Sequence, residues 1–226
     1  MTFFGKTYST VNHSTGTYVR VAYNGANYHY RIEPIKWWVK TTTSGSYGAT
    51  TTSVDAITDK ILIASVYNAS QSLAEGWGYT SSDLYKWTEA AQSTFKFSSN
   101  LASTSREYMA YGAANTDGVP STSSTNKTTV QVASLKEIQN IEYSGGDGGH
   151  NAIYTDFAAC VAGLGYQTSD LYRDFWTRDL DRRRPNAISA TTAKSGSSYA
   201  LTTIGSYVDE VKGVRFVARF SELTRL

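Results

Sequence analysis

Apolar and polar positions alternate over TYVRVAY, Thr17 to Tyr23, and again over NYHYRI, Asn27 to Ile32, with Asn24-Gly25 between the two runs. A period of two places successive side chains on opposite faces of a strand. Asn-Gly accepts the positive φ values of a two-residue turn, so the pattern predicts a β-hairpin. The second arm runs on into YRIEPIKWWV, Tyr30 to Val39. There Tyr30, Ile32, Ile35, Trp37 and Val39 share one buried face only if the strand takes an extra residue near Pro34, whose ring also removes a ladder donor. A bulged or edge strand is expected. Trp37 and Trp38 then point to opposite faces, so at most one belongs to the main core, and the other is covered by a helix, a loop or a neighbouring subunit.

Beyond this stretch, Thr41 to Ser53 reads as a polar loop or a long hairpin connection, and KILIASVY, Lys60 to Tyr67, suits a short buried strand. In SSDLYKWTEAAQSTF, Leu84, Trp87, Ala91 and Phe95 recur at helical spacing, predicting a helix that starts near Thr80 to Ser82 under a Ser or Asp cap. Ser99 to Tyr111 fits no single period, and Ala114 to Thr128 reads as a loop. SLKEIQNI, Ser134 to Ile141, opens with the Ser-x-x-Glu signature of a capping box and predicts a short helix. The glycine-rich SGGDGGHN that follows reads as a loop, and Thr155 to Leu164 as a helix ended by Gly165. Strands return in SYALTTI and in GVRFVARF, where Val214, Phe216, Ala218 and Phe220 alternate with Arg and Val. GYTSSDLYKWT from Gly78 and GYQTSDLYRDFWT from Gly165 form a near-repeat, read as a shared turn followed by a helix cap.

Composition narrows the class. A chain of 226 residues is expected to be one domain, burying roughly 70% of its unfolded surface. The lone Cys160 makes no internal disulfide and belongs to no zinc-type spacing. The opening MTFFGKTYSTVNHST has no apolar stretch of the signal-peptide kind, and no run of about 18 apolar residues follows, so neither export by a signal peptide nor a membrane span is expected. A formal charge of +2 gives no strong pull toward nucleic acid or anionic lipid. Seventeen Tyr and five Trp stand among abundant Ser, Thr, Asn and Gly. Binding surfaces use that mixture, and strand propensity alone also yields it.

Several segments, in order, resemble a bacterial and phage domain-of-unknown-function family with an EPIKW-type strand, a T-D-Y-A helix, a W-L-R-S-P motif and a terminal G-V-R-P-A strand. The corresponding segments are YRIEPIKWWV at Tyr30, DLYKWTEAAQSTF at Asp83, ASLKEIQNIEYSGG at Ala133, YTDFAACVAG at Tyr154, DFWTRD at Asp174 and GVRFVARF at Gly213. DFWTRD lacks the family's Ser-Pro, and Phe216 stands where the family has proline. That family is similar in layout to C-type-lectin-like domains of the formylglycine-generating type. The resemblance implies an α+β fold: a single C-type-lectin-like domain, mostly antiparallel sheet with two or three helices and long loops. Within 1–226, it implies an N-terminal arm and first hairpin strand over 1–27, a core over 28–220 and a tail over 221–226. It also implies that Gly213 to Phe220 lies beside Tyr30 to Val39 or the preceding hairpin arm.

Formylglycine-generating relatives use paired cysteines, whereas Cys160 is alone in an alanine-rich helix and reads as a buried, inert thiol. His13, His29 and His150 are scattered along the chain without helical spacing, so no metal site and no cofactor is expected from them. Asp147 and His150 in SGGDGGHN could ligate an ion, although a surface loop accounts for them. RDLDRRRP, Arg178 to Pro185, is the densest charge run, and without interleaved aromatics it reads as salt bridging or subunit contact through Arg178, Arg182, Arg183 and Arg184 rather than as a nucleic-acid site. Exposed rings of Trp77, Tyr79 and Tyr166 are the candidate glycan-binding faces.

These readings converge on a non-enzymatic phage virion surface protein, a capsid decoration, fibre or receptor-binding component assembled in the host cytoplasm. Its expected partners are other virion proteins, further copies of itself and a host-surface glycan, with no membrane contact. Two alternatives remain from the sequence. One is a metal-dependent enzyme using Asp147, His150 or Asp156, and the other is a bacterial cell-surface binding domain.

Overall fold

The computed structural model describes residues 2–39, 50–72, 78–95, 101–102, 104–105, 127–128, 130–139, 153–165, 174–180, 187–195 and 198–224. At the amino terminus, β1 (Thr2–Phe3) and β2 (Lys6–Thr7) form a hairpin. The next three strands, β3 (Ser9–His13), β4 (Gly16–Tyr23) and β5 (Ala26–Arg31), form an antiparallel meander. Asn24 and Gly25 take φ values of 47° and 77°, as a type I′ turn requires, so the expected hairpin forms where the Asn-Gly signal puts it. It joins residues on both sides of position 27.

The run from Tyr30 to Val39 is not one bulged strand. It divides into the end of β5 and a separate strand, β6 (Trp37–Val39), in a different sheet. Ile32 donates one last backbone bond to Thr17 O at 2.9 Å, and residues 32–36 then carry the chain across. Pro34 has no N–H with which to extend a ladder. Ile32 and Val39 are accordingly exposed rather than buried. The opposition of the two tryptophans does hold. Trp37 packs against one core cluster, its ring 5.3 Å from Phe220, and Trp38 packs against the other.

The body of the molecule contains β7 (Thr50–Thr58), β8 (Ile63–Ser65), a 3-10 turn over Tyr79–Ser81, α1 (Asp83–Phe95), β9 (Leu101–Ala102), β10 (Thr104–Ser105), β11 (Lys127–Thr128) and β12 (Val130–Val132). It continues with α2 (Leu135–Gln139), α3 (Asp156–Val161), β13 (Phe175–Leu180), β14 (Ala187–Ser195), β15 (Ser198–Ser206), β16 (Lys212–Val214) and β17 (Phe216–Thr224). One sheet has the order β12-β17-β7-β6, with β9 also on β17, and the other the order β15-β14-β13-β16-β8. Only the β13–β16 pair is parallel among these strands. The chain is therefore a mostly antiparallel β-sheet protein with helices and long loops.

Antiparallel β7 lies between β6 and β17, so the first and last motifs are not neighbours in the sheet; they meet through side chains, as in the Trp37–Phe220 ring contact. Thr50 to Ser53, at the end of the 41–53 segment, belong to β7, so they are strand and not loop, and residues 41–49 lie outside the described residues. Lys127 and Thr128, at the end of the expected 114–128 loop, are paired as β11 with β10. GVRFVARF spans both sheets, as β16 and β17, with Arg215 between them. Its alternation feeds two cores. Phe216, Ala218 and Phe220 enter one cluster and Val217 the other, just as Ala56 and Ile57 divide on β7 and Ile63 and Ala64 on β8.

Local capping signals explain where the helices begin. Ser82 Oγ accepts from Tyr85 N at 3.0 Å at the start of α1. In the capping box of α2, Ser134 Oγ accepts from Glu137 N at 3.1 Å, and Glu137 Oε2 accepts from Ser134 N at 3.0 Å. Thr155 caps α3 by accepting from Ala158 N at 3.1 Å. That helix ends at Val161, three residues before the expected Leu164, because Gly163, with φ 74°, takes the left-handed position in place of Gly165. Gly163 N bonds to Cys160 O and Leu164 N to Ala159 O, the paired bonds of a Schellman ending. The near-repeat divides likewise. Its first copy is the 3-10 turn and α1, whereas Phe175 to Thr177 of the second lie in a strand and residues 166–173 fall outside the described residues.

Gly213 marks a close approach in the body. A Cβ there would stand 2.6 Å from Ile61 Cγ2 and 2.9 Å from Tyr154 Oη. Gly213→Ala is expected to lower unfolding free energy by about 1–3 kcal/mol, the usual cost of overpacking. Urea denaturation checks this, and an unchanged midpoint would contradict the packing described.

Candidate recognition site

The site follows from a parting of strands. β3 pairs with β4 only from Ser9↔Arg20 to His13↔Gly16, while β4 continues to Tyr23 alongside β5. Upstream of Ser9 the chain pairs instead with β1, through a turn at Phe4 and Gly5 whose φ values are 52° and 71°. Phe4 anchors this hairpin in the core, its ring 6.4 Å from Trp87 and 6.0 Å from Phe216. A Cβ on Gly5 would stand 3.0 Å from the Trp87 ring, so glycine satisfies both the backbone angle and the fit there.

Between the diverging segments 6–9 and 20–22 lies a cleft of about 540 Å³. Lys6 and Arg20 stand at its exposed rim with Ser9 and Asn27, and its inner wall includes Tyr8 and Cys160. Among the described residues no carboxylate lines it. Among the described residues neither Lys6 nor Arg20 takes part in an ion pair. Two uncompensated cations thus face one polar cavity.

The wall is braced by α3. The Phe157 ring meets Tyr8 at 5.5 Å and Tyr30 at 6.0 Å, edge to face in both cases. Burial, with Cys160 nearby, pushes the Tyr8 phenol up to about 12. Burial first, and then the hydrogen bond with Cys160, also raises Tyr30 well above the ordinary phenol range. Both phenols therefore stay protonated at neutral pH. Cys160 is buried and free, in line with the expected packing role.

On the exposed side of the meander, the His13 ring lies 5.2 Å from Tyr18 and 6.4 Å from His29, and Tyr18 Oη is 2.9 Å from Thr15 Oγ1. The two histidines that look scattered in sequence are thus brought together by strand pairing. Among the described residues no three His, Cys, Asp or Glu side chains gather as a metal site.

The residues singled out in sequence have different fates. Tyr79 is 1% exposed, its ring packed against Tyr67 and Tyr85 and its hydroxyl accepting from Val132 N at 3.2 Å, so it offers no face to a glycan. The turn before α1 points it inward. Arg178 is 2% exposed and forms an internal ion pair with Glu137, so it is not a subunit contact; β13, buried along its whole length, carries it inside. Trp77, Tyr166, Arg182, Arg183, Arg184, Asp147 and His150 lie outside the described residues. Asp156 is exposed in the first turn of α3.

Sequence reasoning missed Lys6, Tyr8 and Arg20. Alternation in TYVRVAY does put Arg20 on the face opposite Val19 and Val21, but its meeting with Lys6 depends on where β3 leaves β4, and no local pattern encodes that. Comparison with protein-family models, curated proteins and solved structures finds no match. No helix among the described residues is long and apolar enough to cross a membrane.

Burial drives the Tyr79 phenol up to about 12, against Val132 N–H and Arg178, which favour the phenolate. The unfolded phenol ionises near 10, so the stability held by neutral Tyr79 is complete below that pH and is lost as pH rises from about 10 to about 12. Tyr79→Phe is expected to cost about 1–3 kcal/mol at neutral pH, because Val132 N–H loses its acceptor. It should also reduce the alkaline loss. Denaturation at pH 7 and pH 11 checks both effects, and an equal alkaline loss in variant and wild type would contradict this placement of Tyr79.

Proposed function

We propose that the protein is a non-enzymatic recognition and assembly module of a phage virion surface, a capsid decoration, fibre or receptor-binding component on a C-type-lectin-like scaffold. The scaffold assignment is supported by the order of the motifs and by the shared neighbour β7 of β6 and β17. The observation that carries the function is a division of charge. Buried charged groups are engaged within the body, Arg178 with Glu137 and Arg215 with Thr58 O, whereas Lys6 and Arg20 are held out over a cavity. Interior charges brace such a module, and displayed ones meet its ligand.

Assembly has separate support. Among the described residues β15 ends its sheet, its nine residues paired on one side to β14, and such an edge is a ready template for strand pairing with another chain. Exposed Tyr207 and Val211 follow it. These features suit contacts with virion proteins or with a second copy.

The test is cosedimentation of the purified protein with phage capsids and tails, alongside binding to host cell walls and a glycan array. Saturable binding to particles, cell walls or glycans is the expected result. Absence of binding in all three, or turnover of a bound compound, would contradict the proposal.

A further inference from the structure

We infer that the cleft between β2–β3 and β4 binds a sugar-sized oxyanion, a saccharide bearing a carboxylate or a phosphate. This inference rests on the recognition reading and names the ligand class of that site. A cleft of about 540 Å³ falls in the size range of small-ligand pockets, roughly 300–1,000 Å³. Among the described residues its lining charge has one sign, from Lys6 and Arg20, with no carboxylate to compensate. An arginine fork accepts a carboxylate or phosphate through paired N–H donors, and a lysine adds a point charge.

The remaining lining selects more than a bare ion. Ser9 and Asn27 offer hydroxyl and amide groups beside the cations, matching the hydroxyls of a sugar ring. Val21 and Val161 supply apolar wall for the ring's C–H faces. Tyr8, held protonated by burial, adds no negative charge against an anionic ligand. Both cations are solvent-exposed, so altering them leaves the core untouched.

Isothermal titration of the full chain with D-glucuronate, D-glucose 6-phosphate, D-glucose and inorganic phosphate tests this directly. At least one charged sugar is expected to bind about tenfold or more tightly than glucose and than inorganic phosphate, and more weakly as salt is raised. The tighter of glucuronate and glucose 6-phosphate identifies the oxyanion. Arg20→Gln and Lys6→Gln should each weaken that binding about tenfold, whereas Arg31→Gln, which alters a guanidinium paired with Glu33 outside the cleft, should not.

Charged sugars that bind no better than glucose would overturn the inference. So would inorganic phosphate matching glucose 6-phosphate when glucuronate shows no advantage, or Arg31→Gln weakening binding as much as Arg20→Gln. The outcomes separate the two readings. Particle docking without charged-sugar binding overturns the ligand class alone, and a charged sugar converted to product overturns the non-enzymatic reading alone.

Discussion

The two sheets are joined through a buried cation, Arg178. Arg178 Nη1 donates to Val132 O at 2.9 Å and to Glu137 Oε2 at 2.6 Å, joining β13 to β12 and to the first turn of α2. The backbone follows the same path, with Arg178 N bonded to Ala133 O at 3.0 Å and Tyr67 Oη donating to Arg178 O at 3.0 Å. Burial opposes the guanidinium charge, but Glu137 and Asp179 outweigh it and hold Arg178 firmly protonated. A buried charge retained in this way constrains its surroundings, because removing one partner strands the other in a low dielectric.

From this point order spreads outward. Glu137 serves twice, accepting from Ser134 N in the capping box and from Arg178 across the sheets, so the start of α2 and the junction of the sheets share one carboxylate. Asp179 Oδ2 completes the arrangement by accepting from Leu135 N at 2.7 Å. Arg215 acts similarly where the chain passes from β16 to β17, its Nη2 donating to Thr58 O at 2.7 Å and its guanidinium lying over Phe175. The inner charges therefore fix the sheets, α3 packs on the resulting body, and the meander rests on Phe157 of α3.

Sequence was legible where structure is decided within a few residues. Asn24-Gly25, the box from Ser134 to Glu137, and the cap at Ser82 all satisfy backbone groups locally, and each forms where its signal lies. Distant neighbours decide the rest. Pro34 ends one ladder, but only the position of β7 shows that Trp37 starts another. Arg178 stands in the densest charge run and so resembles a surface residue; β13 and the carboxylate of Glu137, far away in sequence, draw it inside. Gly163 and Gly165 are equally capable of ending α3, and Gly163 does so because Leu164 N can then reach Ala159 O. The cleft was invisible because it arises from the departure of one strand from another.

Structure and function are thus linked through rigidity. A meander resting on a body that opened sheet by sheet would give Lys6 and Arg20 no fixed separation, and the proposed oxyanion recognition depends on such preorganisation. Native-state amide hydrogen exchange measures this most directly, at Arg178 in one sheet, Val217 in the other and Ala133 at their junction. The account requires all three amides to exchange at one common free energy, equal to that of global unfolding. Exchange of Arg178 and Ala133 at a clearly lower free energy than Val217 would show that the sheets open separately, and would contradict it.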